Sequence, residues 1–367
     1  MSRSTPRSPP LAWPAWSAVL VSPLLLGVGS AIGVRYLRAT GLSWMTLVGL
    51  ASLLLGLVAG VWGVATVARL VTGWRRLVAV PVIAVPLLIA VYLVAIPVAV
   101  MVVPRSQPTR TPAQLRITYR DVAVSATDGV RLSAWLMLPD VARARRPAVV
   151  ALHGAGSNRA ATLDQAAVLV RHGYVVLALD ARGHGGSGGR AMDWGWNGDA
   201  DVGGAVSLLA SRPEVDPSRI AVLGLSMGGE EAIGAAAADD RIRAVVAEGA
   251  TGRSADDYRW LSEVYGWRGA LQEQLLAAQT AIVDVLTRAP RPATLQSAAT
   301  SAGPLLLITA GNRPDELHAA RRIERAAGSR VTVWNVPGSD HTAGLRTSPA
   351  AWEETVVAFL DSSTTAP

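Results

Sequence analysis

The 367-residue chain contains no cysteine and no lysine. Without cysteine there are no disulfides, no thiolate nucleophile and no cysteine-ligated metal, while the redox compartment stays open, since a chain without thiols suits either one. Without lysine every basic side chain except histidine is arginine, which we read as a compositional bias; it also excludes a P-loop, whose lysine reaches the phosphates. Acids are missing from residues 1–104, which carry seven arginines, whereas residues 105–367 carry 27 arginines against 27 acids. The net charge of +7 therefore belongs to the N-terminal third. With a neutral remainder and no basic patch interleaved with aromatics, no nucleic-acid partner is expected.

Charge is also missing from three long apolar runs, at about 11–34, 41–68 and 77–103. Each is long enough to cross roughly 30 Å of hydrocarbon as a helix. A signal peptide would account for the first run alone. A multi-pass membrane anchor over 1–104 is expected, with the lipid bilayer as its partner. No acidic, basic or histidine side chain lies inside a span, so an ion path has no carrier. Gly29-x-x-x-Gly33 and Gly56-x-x-x-Gly60 either let helices approach closely or reflect the abundance of glycine. Arg3, Arg7, Arg69, Arg75 and Arg76 fall on one side; Arg35, Arg38, Arg105 and Arg110 fall on the other. That balance favours a cytoplasmic N-terminus and an extracytoplasmic C-terminal domain.

Residues 105–114 read as a polar linker and 115–361 as an α/β domain. Two strands around Thr127-Asp128-Gly129 form a hairpin, after which short apolar strands alternate with helical patterns up to Phe359. Alternation of this kind implies a mostly parallel sheet covered by helices on both faces, with ligands beyond the strand C-termini. Residues 249–301, between two strands, are too long for an ordinary connection and are read as a helical cap. Residues 362–367 are expected to be a disordered tail.

Ile220 to Leu223 runs into Gly224-Leu225-Ser226-Met227-Gly228, and an alanine-rich helical pattern follows at once. A strand, a sharp turn and a helix around G-x-S-x-G make a nucleophile elbow, which holds Ser226 in a strained backbone with its hydroxyl above the sheet edge. The backbone N–H of Met227 is the natural first donor to an oxyanion, and that of Ala155, in His153-Gly-Ala-Gly156, the second. His341, after the last strand, is the candidate general base. Neighbouring ligand patterns are missing around the five histidines, so neither a metal nor a cofactor is expected.

His153-Gly154, Asp180-x-Arg182-Gly183-His184-Gly185-x-Ser187, the elbow with Gly229, and Gly338-Ser339-Asp340-His341 together resemble the alpha/beta-hydrolase superfamily. The closer likeness is to its membrane-anchored bacterial members of the dienelactone-hydrolase or serine-aminopeptidase-like type. The resemblance covers about residues 115–361 and leaves the three spans unexplained. It implies a catalytic triad whose acid is Asp315, with Glu316 next to it as the alternative. It also implies a serine hydrolase acting on an ester or related acyl bond of a small-molecule, lipid-like or peptide substrate. A serine aminopeptidase and a non-catalytic binding or signalling protein that keeps the fold are the alternatives. The candidate pocket residues are His153, Trp194, Trp196, Tyr258, Trp260, Tyr265 and Trp267. Glu230 and Glu231 read as helix-surface acids, with a substrate amine as their other possible partner.

Overall fold

A computed structural model of the chain describes residues 12–140, 145–191 and 194–364. Residues up to Pro104 and the bulk of those from Arg105 onward form two compact units. Arg3, Arg7, Leu11 and residues 365–367 lie outside the described residues.

The first unit consists of α1 (Ala12–Thr40), α2 (Trp44–Arg69) and α3 (Arg75–Met101), each long and apolar enough to cross a membrane. Helix α1 continues through Arg35 and Arg38, past the expected end at Val34, because a charge ends a hydrophobic run without ending a helix. Arg35 Nη1 donates to Ala99 O at 2.5 Å and the Tyr36 hydroxyl to Val103 O at 3.2 Å, occupying carbonyls near the end of α3. The glycines have a packing role. A Cβ on Gly29 would stand 2.4 Å from Leu53 N, one on Gly49 2.4 Å from Gly33 N, and one on Gly56 2.8 Å from Leu26 N. Helices α1 and α2 thus meet backbone to backbone, an approach that side chains would block. Gly60 is looser, its Cβ position meeting only Ser22 at 3.4 Å.

The second unit is an eight-stranded sheet. In chain order its strands are β1 (Thr118–Ser125), β2 (Arg131–Leu138), β3 (Arg146–Leu152), β4 (Val175–Leu179), β5 (Val215–Leu225), β6 (Ile242–Glu248), β7 (Leu305–Ala310) and β8 (Val331–Val336). Their spatial order is β1-β2-β4-β3-β5-β6-β7-β8, antiparallel at the first two pairings and parallel at all the others. The helices are α4 (Leu163–Arg171), α5 (Gly198–Ala210), α6 (Met227–Ala238), α7 (Leu261–Tyr265), α8 (Trp267–Thr287), α9 (Leu295–Ser301), α10 (Pro314–Ala327), α11 (Gly344–Thr347) and α12 (Pro349–Thr364).

The period of two along each strand divides the core. Ala148, Val150 and Leu152 of β3 face a cluster shared with α5, α6, α9 and α10; Val149 and Ala151 face one shared with α4 and α12. Burial on both faces explains why these strands read as unbroken apolar runs. Two expected boundaries move. Leu295, Ala298 and Ala299 of α9 are buried in the first cluster, so the inserted segment ends before α9 and not at 301. Their i, i+3, i+4 spacing puts one face of a short helix on the sheet. Residues 362–364 belong to α12, where the Thr364 hydroxyl bonds Leu360 O, and not to a tail.

Candidate active site

The carboxyl ends of the parallel strands carry the polar residues, as expected where a parallel sheet opens. Strand β5 delivers Ser226 at φ +54°, ψ −121°, a conformation a residue with a Cβ seldom adopts. The tight turn requires glycine on both sides: a Cβ on Gly224 would meet Gly228 O at 2.1 Å, and one on Gly228 would meet Leu152 O at 2.6 Å. Ser226 N donates to Glu248 O at 2.7 Å, pinning the turn to β6. The hydroxyl stands at the start of α6, with Oγ 2.9 Å from His341 Nε2.

His341 lies in the loop after β8, and its Nδ1 is 2.6 Å from Glu316 Oε1. Glu316 is almost wholly buried, and its other oxygen accepts from Ala310 N at 2.9 Å, so both oxygens are committed. The expected acid, Asp315, does not reach the imidazole; it is exposed and accepts a hydrogen bond from the Tyr265 hydroxyl. The reason is helical phase. Helix α10 begins at Pro314, and consecutive residues there point about 100° apart, so one carboxylate faces the sheet and its neighbour faces outward. Asp340 is a loop residue; together with Gly338 O it accepts from the Asn312 side chain, joining the loops after β7 and β8.

Glu248 was not singled out from sequence. Its side chain accepts from Gly344 N at 2.7 Å and Trp352 Nε1 at 3.1 Å, and its carbonyl holds Ser226 N, so one residue braces both the serine turn and the chain just after His341. The signal was an acid ending an apolar strand. Gly249, next in the chain, sits at φ +75°, where a Cβ would come within 2.9 Å of His341 Cε1.

The His153–Gly156 loop abuts the serine: a Cβ on Gly154 would stand 3.2 Å from Ser226 Cβ. His153 itself is buried, accepts from Ala181 N at 3.1 Å and packs edge-on against His184 at 5.0 Å. It ties loops together and is not part of the lining of the cavity beside His341. Asp180 performs a similar task, bonding Arg159 N, Arg159 Nη1 and Gly186 N.

Beside His341 and Glu316 opens a cavity of about 640 Å³ lined by Tyr258, Trp260, Leu261, Tyr265, Arg268 and Leu276 of the inserted segment and by Arg313 and Asp315. Of the expected pocket residues, Tyr258, Trp260 and Tyr265 are there. Trp267 is 74% exposed, because it begins α8 on the outer side. Trp196 is buried and donates to Arg253 O at 2.8 Å, while Trp194 borders a separate space of about 60 Å³.

Glu230 and Glu231 correct another expectation, since both are buried rather than on the helix surface. Glu230 accepts from Thr251 N and Gly252 N, each at 3.0 Å. Burial pushes its carboxyl up to about 7, and burial among Asp201, Asp199 and Glu230 raises Glu231 as well. Because the folded state holds the Glu230 proton more tightly than the unfolded state, its contribution to stability is complete below the ordinary value of 4.5. It is lost as pH rises through about 7. Glu230→Gln keeps an acceptor for both N–H groups without the titration. In detergent, urea unfolding at pH 5 and pH 8 should show a decline smaller by about 3 kcal/mol in this variant. Equal declines in both proteins would refute the assignment.

The fold, the elbow and the site geometry can be set beside known proteins. Residues 143–311 match the family described as "Serine aminopeptidase, S33". A solved Pyrococcus furiosus esterase superposes with a TM-score of 0.58 at 25% identity, over 72% of this chain and 99% of that one. The chain has the alpha/beta-hydrolase fold. Among curated relatives, an alpha/beta hydrolase domain-containing protein of Arabidopsis thaliana is 33% identical over 144 residues, 38% of this chain and 44% of that protein. An uncharacterized protein of Mycobacterium tuberculosis is 35% identical over 133 residues, 36% of this chain and 46% of its own length. The chain thus spans about half the length of the curated relatives it matches. Its neighbours include esterase-like and peptidase-like members of the superfamily.

Proposed function

We propose that this alpha/beta hydrolase is a membrane-anchored serine hydrolase that cleaves an ester or related acyl bond through an acyl-enzyme. The observation that carries the reading is the continuous chain from Ser226 Oγ to His341 Nε2 and from His341 Nδ1 to Glu316. In it Ser226 is the nucleophile, His341 the general base, and Glu316 the acid that holds the imidazole in its productive tautomer. Ser226 attacks the acyl carbon as its proton passes to Nε2. The imidazolium then protonates the leaving group, and water attacks the acyl-enzyme through the same base. The N–H groups of Met227 and Ala155 receive the oxyanion, a role supported by the close approach of Gly154 to Ser226. The cavity of about 640 Å³, walled by Tyr258, Trp260, Leu261 and Leu276, receives an apolar acyl or alcohol portion. The three apolar helices act as a transmembrane anchor, and the arginine balance supports an extracytoplasmic catalytic domain.

An aminopeptidase is the second reading, favoured by the description of the matching family. A free carboxylate for a substrate amine is what it lacks support for: Glu230 is buried on backbone donors and Asp315 is bonded to Tyr265.

Intact cells treated with a membrane-impermeant fluorophosphonate should show labelling of Ser226, and untreated protein should turn over acyl esters in preference to aminoacyl amides. Labelling only after lysis would reverse the orientation. Activity confined to amides would replace the esterase reading by the peptidase. Folded protein that no probe labels would leave the third reading, a binding protein on a hydrolase fold.

A further inference from the structure

The end of the sheet remote from Ser226 holds a second cavity. Strand β3 enters at Arg146 and leaves at Leu152, toward the His153–Gly156 loop. Seven residues at about 3.3 Å each separate those ends by roughly 20 Å. The cavity, of about 920 Å³, lies at the entering end and is lined by Arg116, Arg145, Arg146, Arg171 and Arg219. Two acids, Asp140 and Asp361, oppose these five guanidinium groups. Both are engaged elsewhere: Asp361 accepts from the Tyr174 hydroxyl at 2.6 Å and Asp140 from the Thr118 hydroxyl at 3.4 Å. His172, also on the wall, is bonded to Glu353 at 2.7 Å.

Arg146 distinguishes this cavity from an ordinary basic surface. It is only 5% exposed, and its Nη2 is buried with no hydrogen-bond partner among the described residues. A buried guanidinium donor left unpaired is costly, and a long arginine side chain at a strand end would ordinarily turn its head to water. Here the backbone keeps it in place, with Arg146 N donating to Glu214 O at 3.1 Å. Gly173, at φ +88°, passes beside the head group, its Cβ position 3.9 Å from Nη1. Arg219 is steadied by a bond to Thr364 O at 2.8 Å.

We infer that this cavity is a binding site for a phosphate-bearing anion, with Arg146 as its buried anchor and Arg116, Arg145 and Arg171 supplying further charge. Five planar guanidinium groups lining one cavity, against two acids in the same lining, match a tetrahedral, multiply charged acceptor better than a single carboxylate. A phosphate ester in water and a lipid headgroup present the same oxygens to such a site.

The test uses the full chain in a phosphorus-free detergent, with inorganic phosphate as the probe at constant ionic strength and equilibrium dialysis as the readout. Saturable binding in the millimolar range or tighter is expected. Arg146→Gln should weaken it about tenfold or more. Should that variant fold poorly, the exposed double variant Arg145→Ala with Arg171→Ala should still weaken binding several-fold with an unchanged melting temperature. Competition then names the source. Displacement by glycerol phosphate marks a soluble phosphate ester, displacement by phosphatidate vesicles alone marks a lipid headgroup, and displacement by neither leaves inorganic phosphate as the ligand. No saturable binding, or binding that both variants leave intact, would overturn the inference. Either outcome is independent of the Ser226 reading, because no step of the assay needs turnover.

Discussion

Replacing Ser226 by alanine is expected to lower acyl-ester turnover by roughly 10⁴- to 10⁶-fold while leaving the fold in place. The size follows from what the hydroxyl does: no other oxygen is bonded to His341 Nε2 among the described contacts, so its loss removes the covalent route and leaves only binding and oxyanion stabilisation. The fold should survive because the elbow is held by its backbone. Ser226 N is bonded to Glu248 O, and Gly229 N and Glu230 N are bonded to Ser226 O, none of which involves the side chain. Steady-state kinetics on an ester, read beside a thermal melt, separates the two effects. Turnover within tenfold of the parent in a folded variant would sink the nucleophile assignment.

The second large effect concerns the acid. Glu316→Gln should lower kcat by roughly 10³- to 10⁴-fold, through the proton on the imidazole and not through packing. Glu316 Oε2 accepts from Ala310 N, and a glutamine will satisfy that buried donor with its carbonyl oxygen. Its amide NH₂ then faces His341 Nδ1 where a carboxylate oxygen stood at 2.6 Å. Nδ1 must accept, the ring proton moves to Nε2, and the nitrogen that should take the serine proton already carries one. Asp315→Asn has no such route, because Asp315 meets the Tyr265 hydroxyl at the exposed cavity edge. It should change kcat by no more than about fivefold. A large loss in Asp315→Asn with near-normal Glu316→Gln would reverse the assignment.

These two variants also mark how far the site was legible beforehand. Ser226 and His341 stand out because their chemistry is written into short local patterns: glycines that permit a sharp strand-to-helix turn, and a histidine in the loop after the last strand. The acid is a different matter. Asp315 and Glu316 are adjacent, chemically alike, and both lie in the first turn of α10. Choosing between them requires the rotation of that helix against β7, which the spacing within the turn does not encode. Glu248 was overlooked for a related reason, since its partners, Gly344 and Trp352, lie about a hundred residues away in the chain.

Burial was misjudged wherever a polar pattern suggested a surface. Glu230 and Glu231 read as helix-surface acids, yet the loop after β6 offers Glu230 two N–H donors, and Gly195 and Gly198 pack against Glu231. Arg146, a charged residue at the head of an apolar strand, is likewise enclosed. Aromatic residues were legible as a group and not singly: Trp260 and Tyr265 line the cavity, while Trp267, two residues beyond Tyr265, faces away from it.

By itself the sequence determined the three apolar helices, the alternation of strands and helices, and the serine turn, because each follows from interactions within a few residues: hydrophobic length, side-chain period and the steric freedom of glycine. Tertiary structure alone decided which carboxylate meets His341, which aromatics wall the cavity, and which charges are sealed from water. Those outcomes depend on how distant segments rotate and cover one another, and neither helical phase nor burial is a property of the residues taken one at a time.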